Sequence, residues 1–218
     1  MRLLLVRHGQ TPANVLGVLD TAVPGPGLTE LGRRQAAALP DALSGERIDA
    51  IVVTDLVRTH ETAAPLVAAT GLEPVEVGDL REIDAGDLEG LSDRESVTTY
   101  IGALVAWAGG DVDRRIPGGE SGTEFFARYD RGVARVAGLG HDTVVVVSHG
   151  AAIRGWATAR GLDRSVAPLT GHELDNTGVV TLEGDPVGGW RVLDWHGEPA
   201  AGRVLADEGA PDPTGDAG

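Results

Sequence analysis

Two short apolar runs in this chain end in the same dipeptide, His-Gly. They lie in residues 3–9 (LLLVRHG) and in residues 143–150 (TVVVVSHG). Short apolar runs that stop at a glycine are typical of buried β-strands. Strands buried on both faces occur in parallel sheets, in which ligands bind beyond the carboxyl ends of the strands. We therefore expect His8 and His149 to meet at one site, at one edge of a mainly parallel sheet.

Strand and helix patterns alternate along the rest of the chain. Further strand candidates are residues 50–54 and 74–77, and helical periodicity covers residues 29–43, 56–70, 93–108, 123–137 and 151–160. This alternation is typical of βαβ units around a parallel sheet. Two last apolar runs, residues 178–182 and 190–194, flank a turn rich in Gly and predict a closing C-terminal hairpin.

These patterns predict an α/β fold with three layers, α/β/α, around a mainly parallel central sheet. A helical cap, about residues 91–119, is expected over the C-terminal ends of the strands. The 218 residues are enough for one domain with its own core, which we assign to residues 1–198. Residues 199–218 are rich in Ala, Gly, Pro and Asp and are predicted to be a disordered tail. The edge of the closing hairpin is a candidate surface for a homodimer.

Composition excludes several kinds of site and partner. The chain has no cysteine, which excludes disulfides, thiolate zinc sites and cysteine nucleophiles. A net charge of −15 argues against binding to nucleic acid or to an anionic membrane, because both require a basic face. A local arginine cluster can still bind a small anion, since salt screens exposed charges beyond about 8–10 Å. No signal peptide or membrane span is visible, so we expect a cytoplasmic protein.

Five ordered blocks resemble those of the histidine phosphatase superfamily, which includes small-molecule phosphatases and the cofactor-dependent phosphoglycerate mutases. The blocks are LVRHGQT (5–11), TDLVRTHETA (54–63), LRE through GDLEG (80–90), PGGES (117–121) and SHG (148–150). An Arg-His-Gly tripeptide alone is a weak signal. Five blocks in order are a strong one, and the chain is identified as a member of this superfamily.

The resemblance is closer to the phosphatase branch than to the mutases. About twelve residues past the first histidine, where the mutases have a substrate-contacting Thr in a Gly-containing loop, this chain has Asp20 and Thr21. After Glu82 it continues with residues 83–86 (IDAG) and lacks the basic and aromatic residues of the mutases. These departures favour a phosphatase.

The resemblance implies a phosphohistidine intermediate on His8. Phosphoryl transfer depends mostly on positioning and electrostatic stabilisation, and the planar fork of arginine suits phosphate. Arg7 and Arg58 are therefore the implied phosphate clamp, and His149 is expected to stabilise the equatorial oxygens as a cation or as an N–H donor. His8 needs one unprotonated ring nitrogen to attack phosphorus, while the other needs an acceptor that the sequence does not identify.

Glu82 fits the family's acid block as the general acid and, after proton loss, as the general base. That double role requires a raised pKa, which the negative charge of a bound phosphate favours. Asp84 and Asp87 lie on the same loop and are competing candidates.

Other polar groups are candidates for substrate binding. Asn14 and Gln10 carry side-chain amides that can donate to phosphate, although Asn14 is equally interpretable as a helix N-cap. The backbone N–H of Gly150 lies where a helix begins, and phosphate favours helix N-termini. Arg114 and Arg115 are placed to reach a substrate from the cap, or are ordinary surface charges.

The sequence thus predicts a metal-independent phosphomonoesterase that acts on a small phosphorylated metabolite and uses no cofactor. The remaining histidines show no ligand spacing, and without cysteine no metal site is expected. A mutase-like phosphoryl transfer is the first alternative, and an inactive phospho-ligand binding module is the second. The sequence does not identify the substrate.

Overall fold

The computed structural model describes residues 1–161, 173–207, 209 and 212–215. The strands in this part of the chain are β1 (Arg2–Arg7), β2 (Ala50–Val53), β3 (Val75–Glu76), β4 (Thr143–Ser148), β5 (Val179–Asp185) and β6 (Gly189–His196). They form a six-stranded sheet in the order β3-β2-β4-β1-β5-β6. The first four strands run parallel, whereas β5 is antiparallel to β1 and forms a hairpin with β6. The predicted mainly parallel sheet and its closing hairpin are confirmed.

Helices connect the strands. They are α1 (Pro12–Leu16), α2 (Glu30–Ala37), α3 (Leu39–Ala42), α4 (Val57–Thr70), α5 (Arg94–Ala108), α6 (Gly122–Ala137) and α7 (Gly150–Arg160), with short 3₁₀ turns at Gly78–Leu80, Gly86–Leu88 and Arg203–Leu205. The single helix predicted over residues 29–43 is in fact two, because Pro40 has no N–H with which to continue α2. None of the helices in the described part of the chain is long and apolar enough to cross a membrane.

Side chains of the central strands alternate between two cores, one on each face of the sheet. Leu3 and Leu5 belong to the larger core, which includes buried residues of α5, α6 and α7. Leu4 and Val6 belong to the smaller core with residues of α3 and α4. Successive strand residues point to opposite faces, so the run of apolar residues in β1 requires helices on both sides. This is the predicted three-layer α/β/α arrangement.

Helix α5 makes up much of the segment predicted as a cap, residues 91–119. The Tyr100 hydroxyl, on α5, donates to the carbonyl of Ile83 at 3.1 Å. Trp107 stacks on Phe125 of α6, with 5.9 Å between ring centroids. These aromatic residues pack the segment against α6 and against the loop that carries Glu82.

The C-terminal segment contacts the domain. Although the sequence predicts disorder over residues 199–218, Asp212 and Thr214 are buried, at 8% and 9% exposure. Arg203–Leu205 forms a turn of 3₁₀ helix in the same segment. The described part of the segment therefore packs on the domain, through polar groups that an apolar pattern does not reveal.

Candidate active site

The two histidines that follow the apolar strands lie side by side. In the parallel pairing of β1 with β4, Arg7 is in register with Ser148, so the next residue of each strand leaves the sheet at the same edge. The His8 N–H donates to the Ser148 carbonyl at 3.0 Å. The rings of His8 and His149 are buried and their centroids are 5.3 Å apart. Strand register therefore brings the two His-Gly pairs together.

The protonation of His8 is fixed by the backbone. Its Nδ1 lies 2.8 Å from the carbonyl oxygen of Gly9, which only accepts, so Nδ1 carries the proton. Burial, with the positive charges of Arg58 and Arg7, lowers the pKa of His8 well below its usual value. The ring is therefore neutral and Nε2 keeps its lone pair. The Gly9 carbonyl is the acceptor that the sequence did not identify.

Arg58 reaches this site from the first turn of α4, the helix after β2. Its guanidinium is 2% exposed, and its Nε donates to Nδ1 of His149 at 3.3 Å. Nη2 donates to the carbonyl oxygen of Asp20 at 2.9 Å, and Nη1 lies 3.6 Å from the carboxylate of the same residue. Burial lowers the pKa of Arg58 and raises the pKa of Asp20, since both charges are taken from water. Arg58 is thus held between a histidine ring and an aspartate.

His149 uses both ring nitrogens within the protein. Because Nδ1 accepts from Arg58, Nε2 carries the proton and donates to Oγ1 of Thr54 at 3.1 Å. Burial and the charge of Arg58 lower the pKa of His149 well below its usual value. The cationic form, one of the two expected for this residue, does not fit these surroundings. The neutral ring holds Arg58, and donation from its N–H to a phosphate remains a prediction.

Arg7 lies at the end of β1 and is 1% exposed. Its Nη1 donates to the carbonyl of Leu174 at 2.7 Å, and its Nη2 donates to Oγ1 of Thr214 at 3.1 Å. Nη2 also forms an ion pair with the carboxylate of Asp212. Burial opposes ionisation of Asp212, but the charge of Arg7 and hydrogen bonds from Arg7 and Thr214 offset it, so the pKa of Asp212 is lowered. An ionised carboxylate therefore sits on this guanidinium.

The Glu82 carboxyl is buried at the N-terminus of α7, the helix that begins directly after His149. Its Oε1 accepts from the backbone N–H groups of Ile83 and Ala152 at 2.9 and 2.8 Å, and its Oε2 accepts from Ala151 at 3.2 Å. Burial raises the pKa of Glu82, although these bonds and Arg58 act in the opposite direction. The environment therefore favours the protonated form more than water does.

The two competing carboxylates on the same loop are exposed. Asp84 accepts from the N–H of Gly86 at 2.9 Å and closes a local turn, and the side chain of Asp87 also faces solvent. Of the three candidates, only Glu82 has a buried carboxyl, and this burial raises its pKa. The geometry thus favours Glu82 as the acid.

Arg128 of α6, which the sequence did not identify, holds the loop that carries Glu82. Its guanidinium donates to the carbonyls of Asp79, Arg81 and Glu82 at 2.8, 3.0 and 3.1 Å. The carboxylate of Glu120, in the PGGES block, lies 2.6 Å from Arg128 and completes the clamp. A lone arginine on an amphipathic helix has no local pattern that distinguishes it from a solvated one. The only indication of this role in the sequence is that the partner of Arg128, Glu120, lies inside the PGGES block.

The two predicted amide donors are already bonded within the protein. Asn14 is not the N-cap: Thr11 caps α1, and Asn14 Oδ1 accepts from the Thr11 N–H at 2.9 Å in a capping box. Its Nδ2 donates to the carboxylate of Asp212 at 3.3 Å. Gln10 donates to the carboxylate of Asp207 at 2.7 Å. Both amides therefore face carboxylates of the C-terminal segment.

Of the other predicted binding residues, Gly150 lies near the site, whereas Arg114 and Arg115 lie away from it. A Cβ on Gly150 would lie 2.9 Å from Nε of Arg7, so glycine permits this close approach. Arg114 and Arg115 are exposed, and Arg115 pairs with Glu124 at 2.6 Å on the surface. The structure does not bring these two arginines into the site.

This arrangement has the chemical groups that phosphoryl transfer requires. A neutral imidazole with a free lone pair lies beside two buried guanidiniums, and a buried carboxyl lies beyond the second histidine. Within the described ranges, no group of three or more His, Asp or Glu side chains is placed to hold a metal ion. The groups present are an imidazole nitrogen with a lone pair, two guanidinium cations and a carboxyl that can carry a proton.

Comparisons with known proteins agree with this geometry. The model of the histidine phosphatase superfamily (branch 1) matches residues 3–197. The glucosyl-3-phosphoglycerate phosphatase of Mycobacterium tuberculosis is 36% identical over an alignment of 232 positions, which covers 94% of this chain and 97% of that protein. The solved structure of a mycobacterial glucosyl-3-phosphoglycerate phosphatase with VO3 superposes with a TM-score of 0.73 at 32% identity, covering 90% of this chain and 99% of that one.

A third relative is much longer than this chain. The PE-PGRS family protein PE_PGRS11 of Mycobacterium tuberculosis is 38% identical over 211 residues, which cover 89% of this chain but only 36% of that protein. The family itself rests on the match over residues 3–197 and on the phosphatase aligned along nearly its whole length. This chain belongs to the histidine phosphatase superfamily.

Proposed function

We propose that the chain hydrolyses the phosphate ester of a small metabolite through a phosphohistidine on His8, without a metal ion. The observation that carries the proposal is the state of His8: Nδ1 is committed to the Gly9 carbonyl, and the neutral ring lies beside two buried arginines. A histidine that presents a free Nε2 lone pair next to anion ligands is suited to attack phosphorus.

In the first step, Nε2 of His8 attacks the phosphorus atom, and the bond from phosphorus to the ester oxygen breaks. The ester oxygen leaves with the electron pair of that bond and takes a proton from Glu82. Arg7 and Arg58 neutralise the charge on the equatorial oxygens. The products of this step are the free alcohol, a phosphohistidine and an ionised Glu82.

In the second step, ionised Glu82 removes a proton from water, and the water oxygen attacks phosphorus. The bond to Nε2 breaks, which returns a neutral His8 and releases inorganic phosphate. Glu82 must therefore change protonation state twice in each turnover. Burial raises its pKa toward the range in which both directions are accessible, and Arg128 holds its loop in place.

The relatives suggest which substrates to test first. Curated relatives include a glucosyl-3-phosphoglycerate phosphatase, a phosphoserine phosphatase and an adenosylcobalamin/alpha-ribazole phosphatase. We propose a small phosphomonoester of this kind as substrate for the present chain. A mutase reaction is the competing outcome, and it would return the phosphoryl group to a second hydroxyl instead of to water.

The test is phosphate release from a panel of alkyl phosphates and from an aryl phosphate, all in the presence of a chelator. His8→Asn is expected to abolish release of phosphate and the phosphorylated form of the protein detected by mass spectrometry. Glu82→Gln is expected to lower kcat about 10²–10⁴-fold for alkyl esters and less for the aryl ester, whose leaving group needs little proton transfer. The exposed His141→Asn is the matched control. Undiminished activity in His8→Asn, or activity lost to the chelator, would refute the proposal.

A further inference from the structure

The C-terminal segment places a carboxylate on the groups proposed to bind phosphate. The carboxylate of Asp212 pairs with Arg7 and accepts from the side-chain amide of Asn14 at 3.3 Å. It also accepts from the hydroxyl and the backbone N–H of Thr214, at 3.1 and 3.3 Å. Of these donors, the Arg7 guanidinium and the Asn14 amide belong to the domain, and both are of the kind that surround a phosphate group.

Several further contacts anchor the segment at the same place. The Thr214 carbonyl accepts from Arg154 at 3.3 Å, and the Gly215 carbonyl accepts from the Leu174 N–H at 3.1 Å. A Cβ on Gly150 would lie 2.6 Å from the Thr214 carbonyl oxygen, so the segment lies directly against the start of α7. Upstream, Asp207 accepts from the Gln10 amide at 2.7 Å.

We propose that the C-terminal segment is an intramolecular ligand of the active site, in which Asp212 takes the place of a substrate phosphate oxygen on Arg7. This inference rests on the proposed function, since it assumes that Arg7 and Asn14 receive the phosphate. Substrate and segment then compete for the same donors. The enzyme alternates between a closed form, with Asp212 on Arg7, and an open form that binds phosphate.

Charge explains why the closed form exists and why it can be displaced. A guanidinium that is 1% exposed requires a counter-charge, and Asp212 supplies it. A phosphate dianion carries more charge than a carboxylate and therefore binds the Arg7 guanidinium and the Asn14 amide more strongly. Because the closed form reduces the open fraction, it weakens the apparent affinity for phosphate by that fraction. By the same linkage, phosphate binding releases the segment.

The test compares the full chain with Asp212→Asn and Asp212→Ala. Inorganic phosphate is titrated by calorimetry, and KM and kcat are measured with an aryl phosphate. Removing a charge-assisted bond to Arg7 is expected to tighten phosphate binding and to lower KM roughly tenfold, with kcat retained. Asp194→Asn, an exposed carboxylate on β6, is the matched control. Thermal unfolding of each variant verifies that it is folded.

A second readout follows the segment itself. Since the chain has no cysteine, Gly209→Cys, at an exposed position of the segment, provides a single site for a fluorescent label. Phosphate is expected to lower the anisotropy of the label in the otherwise unchanged chain, and to have little effect once Asp212 is also replaced by Asn. Unchanged phosphate affinity with unchanged anisotropy would overturn the inference. A fall in kcat without tighter phosphate binding would also overturn it, because it would show that Asp212 positions Arg7 for catalysis.

Phosphate binding does not require turnover, so the two proposals fail separately. If no ester is hydrolysed but phosphate still displaces the label, the proposed reaction is wrong and the competition stands. If esters are hydrolysed and Asp212→Asn binds phosphate as the unchanged chain does, the competition is wrong and the reaction stands.

Discussion

Replacing Thr54 by Val is expected to impair catalysis through His149, although Thr54 is not proposed to touch the substrate. Thr54 Oγ1 accepts the only proton of the His149 ring, at 3.1 Å, while the other ring nitrogen accepts from Arg58. Both Thr54 and His149 are fully buried. Thr54→Val keeps the volume but removes the acceptor, whereas Thr54→Ser keeps the hydroxyl and removes a methyl group.

The two variants are expected to differ modestly in stability and strongly in activity. An unpaired buried N–H costs about 1–3 kcal/mol, and the lost methyl group costs about 1 kcal/mol. In a chain of this size each kcal/mol of lost stability lowers Tm by about 2–4 °C. The two variants differ by up to about 2 kcal/mol, so their Tm values should differ by at most about 8 °C. In the Val variant the His149 ring is free to turn, and Arg58 then loses its partner at Nε. Loss of one charge-assisted bond to the transition state lowers kcat/KM about tenfold or more.

Steady-state kinetics with an aryl phosphate and thermal unfolding measure both effects. Thr54→Ser is expected to keep most of the activity of the unchanged chain, and Thr54→Val to lose most of it. The reasoning fails if the two variants have the same kcat/KM, or if the Ser variant is the less active of the two.

Two other predictions concern stability. Gly86→Ala should lower the free energy of unfolding by more than about 2 kcal/mol, because φ is +55° and a Cβ would lie 2.1 Å from the Gly119 nitrogen. Gly90→Ala, at φ +78° in open space, should lower it by only about 1–2 kcal/mol. Equal losses in chemical denaturation would contradict this. Because the pKa of His8 is lowered in the folded state, the unfolded chain binds the proton first, and stability should fall as the pH drops below about 6.5, by up to about 1.4 kcal/mol per pH unit. Urea unfolding at each pH should show a shallower loss for His8→Asn than for the unchanged chain, and equal losses would contradict the prediction.

The fold was predictable because its determinants are local patterns. The β-branched run of β4 and the apolar run of β1 identify buried strands, and the strand–helix alternation identifies their parallel pairing. The structure adds that β1 and β4 are neighbours, and their register then brings His8 and His149 together. The break between α2 and α3 does not appear in the helical periodicity, which continues across Pro40.

The hydrogen-bond network of the site was less predictable, because most of its partners are backbone groups. The Gly9 carbonyl that orients His8, and the N–H groups that bind Glu82, exist in every residue and leave no trace in side-chain identity. Arg128 acts in the same way, through three carbonyls of one loop. Sequence patterns identify which side chains carry chemistry, whereas the folded backbone determines how those side chains are held.

The two buried arginines of the site differ in how their charge is balanced, and this difference bears on binding. The carboxylate of Asp20 lies 3.6 Å from Arg58, is part of the domain and stays beside its guanidinium. The carboxylate of Asp212 belongs to the C-terminal segment. On the competition proposed above, a phosphate at Arg7 displaces the carboxylate of Asp212, whereas the carboxylate of Asp20 remains and offsets part of the attraction of Arg58 for phosphate. The proposed competition predicts that the affinity for phosphate depends on the difference between two anions at Arg7, and not on the full attraction of two bare guanidiniums.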